Sequence, residues 1–196
     1  MFLAFPFQSC VEGKESPFTD YISDFSDLKL GIPIGKLVMV RPAIRLMFRD
    51  EKNQVIDTSS KSDMLLYEAI PEPFQYSNAM YGIDSGKLKT VVLAFTGKGV
   101  VIKPRLKEEL RRLKTRFGKR PEKAISLQSH DRRKYLAPVL IWEKTGYTVA
   151  FVYTPNQRNF DDSVGMYILS IHPDKKGFVK ASKLRKPTTE ELGLFE

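Results

Sequence analysis

Apolar side chains recur at two spacings along this chain. Leu106, Leu110, Leu113 and Phe117 follow one another at intervals of four, three and four, the stripe that one face of a helix presents. Pro104 suits a first helical position and Gly118 a stop, so a helix is expected over Arg105 to Phe117. Most other apolar stretches read as strands. From Lys36 to Arg49 the run Leu37-Val38-Met39-Val40 leads through Pro42 into an alternation that sets Ile44, Leu46 and Phe48 against Arg45, Met47 and Arg49. That pattern predicts a long strand bent at the proline. Met64 to Ile70 fits a strand or one helical turn ended by Pro71. Residues 74–86, with Asn78, Gly82, Asp84, Ser85 and Gly86, predict a loop. Lys87 to Phe95 predicts a strand, residues 96–99 a turn, and Val100-Val101-Ile102 a short partner strand. Tyr135 to Trp142 and Tyr147 to Tyr153 predict a hairpin around Glu143-Lys144-Thr145-Gly146; apolar on both faces, it belongs in the middle of a sheet. Val164 to Ile171 is a further strand, and Thr188 with Glu191 has the spacing of a capping box.

These elements predict an α+β chain, mainly β, divided into an N-terminal arm (1–30), one β-rich domain (31–182) and a C-terminal tail (183–196). The arm mixes Phe2, Phe5, Phe7, Phe18, Tyr21 and Phe25 with acids and shows no sustained period. It is expected to cover the sheet, to pair with another copy, or to order on a partner. Over residues 36–154 the order of strands, helix and closing hairpin resembles the OB-fold, whose helix lies between the third and fourth strands. The expectation is an OB-like antiparallel barrel or curved sheet with one amphipathic basic helix at about residues 105–117, leaving the strand at 164–171 as an extra. The resemblance implies a groove for single-stranded nucleic acid or oligosaccharide.

Composition narrows the class. With 196 residues, 42% hydrophobic and 28% charged, the chain falls within the range of folded proteins and is long enough to bury roughly 70% of its extended surface without staples. Cys10 is the single cysteine, which excludes an intrachain disulfide and makes the cytoplasm the expected compartment. Met1 to Phe7 is apolar but lacks a basic start and meets Pro6 and then Glu12, unlike a secretory leader. No window approaches the roughly 20 apolar residues that span a bilayer. The net charge is +9, and residues 98–134 hold 14 basic side chains against 4 acidic ones, whereas 1–97 hold 10 against 12 and 135–196 hold 8 against 7. A positive field this local attracts a polyanion.

Little else in the sequence carries chemistry. One cysteine and the separated His130 and His172 make no zinc motif; Asp161-Asp162 supplies oxygen ligands but reads as a solvated pair, and neither metal nor other cofactor is expected. Thr96-Gly97-Lys98-Gly99 lacks the spacing of a phosphate-binding loop. His130 beside Asp131, Arg132, Arg133 and Lys134, in a stretch read as polar loop, has acid/base potential without a placed second base or nucleophile. The phosphate-contacting candidates are Arg45 and Arg49 on the bent strand, Lys98 and Lys103 before the helix, Arg105, Lys107, Arg111, Arg112, Lys114 and Arg116 on it, Lys119 and Arg120 after it, and Arg132, Arg133 and Lys134. Tyr135 and Trp142 are candidates to stack on bases. The expected function is non-enzymatic nucleic-acid binding, with single-stranded DNA or RNA favoured. The alternatives are a protein-interaction module, an inhibitor or assembly factor docking an acidic partner, and a nuclease using His130.

Overall fold

The strand-forming stretches assemble into one antiparallel sheet because each pairs with a neighbour able to bury the same face. The structure, a computed structural model, describes residues 29–46, 56–59, 61–70, 76–97, 99–130, 133–153 and 165–195. Its elements are α1 (Ile34–Val40), β1 (Arg45–Leu46), β2 (Met64–Ala69), β3 (Asn78–Asp84), β4 (Lys87–Gly97), α2 (Gly99–Phe117), β5 (Glu122–His130), β6 (Arg133–Lys144), β7 (Tyr147–Tyr153), β8 (Gly165–His172), α3 (Lys175–Ala181) and a 3-10 turn at Glu190–Phe195. The sheet order is β1-β2-β3-β4-β8-β7-β6-β5. Two meanders of four strands thus meet where β4 pairs with β8, and α2 carries the chain from β4 across to β5.

Register decides which side chains share a face. On one face, Tyr81, Val91, Leu93, Tyr167, Leu169, Val149 and Phe151 form a core with Ile34 and Leu37 of α1 and Leu113 and Phe117 of α2. On the other, Val139, Ile141 and Ala150 pack with Phe178 of α3. Residues 183–195 lie along β5: Arg185 exchanges backbone hydrogen bonds with Ile125, and the Tyr153 hydroxyl donates to the Leu194 carbonyl at 3.1 Å. Thr188 and Glu191 form the expected reciprocal cap, with the Thr188 N–H donating to Glu191 Oε2 at 2.9 Å. Among the described residues, no helix is long and apolar enough to cross a membrane.

Four expectations are corrected. The bent strand over 36–49 is a helix followed by the two-residue β1; residues 47–49 lie outside the described residues. Burial of Ile34 and Leu37, one helical turn apart, outweighs the strand preference of the valines that follow. The loop over 74–86 contains β3, in which Ala79, Tyr81 and Ile83 are buried in alternation. Val100 to Ile102 is helical, so Pro104 sits inside α2 and forgoes the hydrogen bond that an N–H there would have given the Val100 carbonyl. Finally the sheet is open rather than closed into an OB-like barrel: among the described residues β1 and β5 are its two ends and do not pair.

A buried ion pair fastens α1 to β2. The Arg41 guanidinium meets the Glu68 carboxylate with two hydrogen bonds, Nε to Oε2 at 3.0 Å and a terminal nitrogen to Oε1 at 2.9 Å, and the Tyr81 hydroxyl donates to Oε2 at 2.8 Å. Burial and then the Glu68 charge push Tyr81 far above the usual tyrosine range, so it stays a donor. Removing one charge from such a pair typically costs about 3 kcal/mol, because the other is left buried.

On the opposite face Asp174 caps α3 by accepting the Gly177 N–H at 2.5 Å, Lys175 bonds Glu122, and the His172 ring lies 4.3 Å from that of Phe178. Burial pulls His172 from 6.5 to about 4, against the opposing charge of Asp174. The unfolded chain therefore takes a proton there before the folded protein does. Stability from this site is whole above pH 6.5 and declines as the pH falls toward about 4. His172→Phe is expected to remove up to about 3 kcal/mol of acid-induced loss over that window, read as the difference between wild-type and variant urea midpoints.

Candidate nucleic-acid interface

The apolar stripe of α2 determines where its charges go. Leu113 and Phe117 are buried in the sheet core, with Leu106 and Leu110 packed beside them. Phe117 lies 6.0 Å from Trp142, ring centre to ring centre. With that side committed to the sheet, Lys107, Arg111 and Lys114 form an exposed ridge, and Arg105, Arg112 and Arg116 line one flank. The helix has 19 residues, or roughly 28 Å of length. Gly118, at a φ of 114° that side chains rarely adopt, turns the chain out of the helix. Its carbonyl accepts the Trp142 indole N–H at 2.8 Å. Lys119 and Arg120 are exposed just beyond, and Arg120 borders a cleft of about 240 Å³ shared with Phe117, Glu122, Ile141, Trp142, Glu143 and Lys175.

Neutralisation by the described residues is sparse on the ridge. Among the described residues, Lys107, Arg111, Lys114, Lys119 and Arg120 are within ion-pair distance of no acid. The Arg105 guanidinium sits 4.8 Å over the Phe95 ring, which holds it by cation–π attraction. Arg112 lies 3.8 Å from Glu109. Like charges one turn apart, as in Lys107 and Arg111, repel by a few tenths of a kcal/mol in an isolated helix. Burial of the stripe offsets this strain, and Lys114 and Arg116 in the last turn gain from the negative helix terminus.

The other candidates do not all converge on this surface. Arg45 belongs to the opposite face. It pairs with Tyr67, and the row continues through Met80, Val92 and Ser170 to Ala150, beneath α3. Its guanidinium donates to the Pro42 and Ile44 carbonyls at 3.1 and 2.9 Å. Arg49, Lys98 and Arg132 lie outside the described residues. Lys103 falls within α2, and Arg133, Lys134 and Tyr135 within β6, opposite His130, Ser129 and Gln128 of β5. The expected polar loop over 128–134 is therefore strand at both ends. Trp142 is corrected: at 4% exposure, with its N–H taken by Gly118, it packs the core and offers no face to a base. Phe151 and Tyr153 are buried as well, and burial pushes Tyr153 up to about 12.

His130 and His172 stand at opposite ends of the sheet, since His172 pairs with Thr148 and so with the Glu143 end of β6, whereas His130 pairs with Arg133. Among the described residues, no group of His, Cys and carboxylates is arranged to hold a metal.

One residue escaped the reading of the pattern. Glu109 is 0% exposed, and its Oε1 accepts the Tyr76 hydroxyl at 2.6 Å. Its signal was present, for it follows Leu106 by three positions and precedes Leu113 by four, inside the apolar stripe. Comparison with protein-family models, curated proteins and solved structures finds no match. Trp142→Phe is expected to lower stability by about 1 kcal/mol through loss of the Gly118 hydrogen bond, while nucleic-acid affinity at matched folded fraction stays unchanged; thermal unfolding and fluorescence anisotropy check the two halves.

Proposed function

We propose that the protein binds nucleic acid by its phosphate backbone along α2, without acting on it chemically. The observation that carries this reading is the ridge Lys107, Arg111 and Lys114, exposed and without an acidic partner among the described residues, and continued by Lys119 and Arg120. A row of cations without acidic partners among the described residues, on a helix packed against the sheet core, meets a polyanion, and each contact releases counterions. His172 stands at the far end of the sheet from His130 and so supplies no second imidazole to it. Burial of Trp142 withdraws one of the two stacking candidates, so backbone tracking is the main mode of this reading. Arg45, on the far face, is not part of this proposed surface.

Replacing Lys107, Arg111, Lys114 and Arg116 together by Ala preserves helix propensity and removes charge. The slope of log affinity against log salt for a single-stranded oligonucleotide is expected to fall in magnitude by about 3, with the circular dichroism spectrum unchanged. Parallel titrations with duplex DNA and RNA rank the partners. Equal slopes for wild type and variant would place the contacts elsewhere, and a nuclease-resistant protein partner captured through the same residues would favour the interaction-module reading.

A further inference from the structure

Beneath the proposed interface lies a carboxyl group that is half satisfied. Glu109 projects from the sheet side of α2 and is wholly buried. Tyr76 donates to its Oε1 at 2.6 Å, but Oε2, equally buried, receives no hydrogen bond from the described residues. The cation nearest Oε2 is Arg112, at 3.8 Å, too far for a hydrogen bond but close enough for ionic attraction. Arg112 is partly exposed, with 31% of its side chain reaching solvent on the basic flank. It thus stands between an internal anion and the surface on which phosphates are proposed to bind.

We propose that Arg112 couples nucleic-acid binding to protonation of Glu109: free, the guanidinium attends the Glu109 carboxylate; bound, it turns to a phosphate, and Glu109 takes up a proton. The step balances, since the bound complex gains one proton from solvent and no bond other than the new O–H is made. It rests on the nucleic-acid reading given above. An ionised carboxylate with an orphan oxygen in the interior is costly once its cation leaves, and protonation removes the charge. The other groups facing Glu109 act in the same sense or are too weak to oppose it. Tyr167 of β8, in edge contact with Tyr76 at 5.7 Å, is itself held neutral by burial and then by the Glu109 charge. Glu108 repels a second negative charge, and Arg105 is engaged with Phe95. Burial already raises Glu109 above the usual carboxylate range, against the Tyr76 hydrogen bond and the Arg112 charge. Withdrawal of Arg112 raises it further. By reciprocity, a condition that protonates Glu109 tightens nucleic-acid binding.

The test is calorimetric titration of the full-length protein with a single-stranded oligonucleotide, whose phosphodiesters do not titrate, in buffers of different ionisation heat between about pH 5 and about pH 9. The wild type is expected to take up as much as about one proton per site in part of this range, with affinity falling up to tenfold per pH unit as the pH rises there. Glu109→Gln keeps the acceptor for Tyr76 and is expected to bind without proton uptake and without that slope. Arg112→Ala is expected to bind with a smaller salt slope and no uptake. Binding by the wild type with no uptake at any pH, or uptake equal in Glu109→Gln, overturns the coupling while leaving nucleic-acid binding intact. Absence of binding at every pH and at low salt overturns the reading beneath it, and the coupling with it.

Discussion

The docking of α2 on the sheet is the constraint from which the rest of the surface follows. Burying Leu113 and Phe117, with Leu106 and Leu110 packed beside them, turns the far side of the helix outward, and most of the side chains exposed there are basic. Leu113 and Phe117 lie in the same core as Tyr167, Phe151 and Trp142, so the charged ridge is tied to the sheet core. The hydrophobic term supplies the energy, and the repulsion among the cations is tolerated because burial of large side chains at about 1.5–3 kcal/mol each exceeds it.

Polar groups in the interior refine this arrangement. Arg41, Glu68 and Tyr81 satisfy one another and tie α1 to β2. The Trp142 indole and the Gly118 carbonyl join the end of α2 to β6. Glu109 differs, because one of its oxygens has no donor among the described residues. A fully satisfied network rigidifies a core, whereas the half-satisfied Glu109 carboxyl is the group on which the proposed coupling rests. That carboxyl belongs to the sheet side of α2, and among the described residues its nearest cation, Arg112, is a member of the basic flank.

What was legible in the sequence was local. The stripe over 106–117 and the hairpin of β6 and β7 announce themselves by period and by turn residues, and both are present in the structure. Two elements were obscured by competing local signals. Valines pointed to a strand where two buried residues of α1 make a helix, and Asn78, Gly82 and Asp84 hid the alternation of Ala79, Tyr81 and Ile83. Sheet order was beyond reach, since β4 meets β8 only after α2 and three other strands have been placed. The basic positions of the proposed interface could be read as charges, but not their sides: only register puts Arg45 across the sheet from α2. Burial of Trp142 and of Glu109 likewise arises from packing between distant segments.

The most direct measurement of the central claim is chemical modification of lysines with and without a saturating oligonucleotide, read residue by residue by mass spectrometry. Lys107, Lys114 and Lys119 are expected to be protected, while Lys61, before β2, and Lys186, beside β5, react at unchanged rates. Equal reactivity of all five in the two samples would contradict the account, and protection confined to Lys61 or Lys186 would move the interface off α2 altogether.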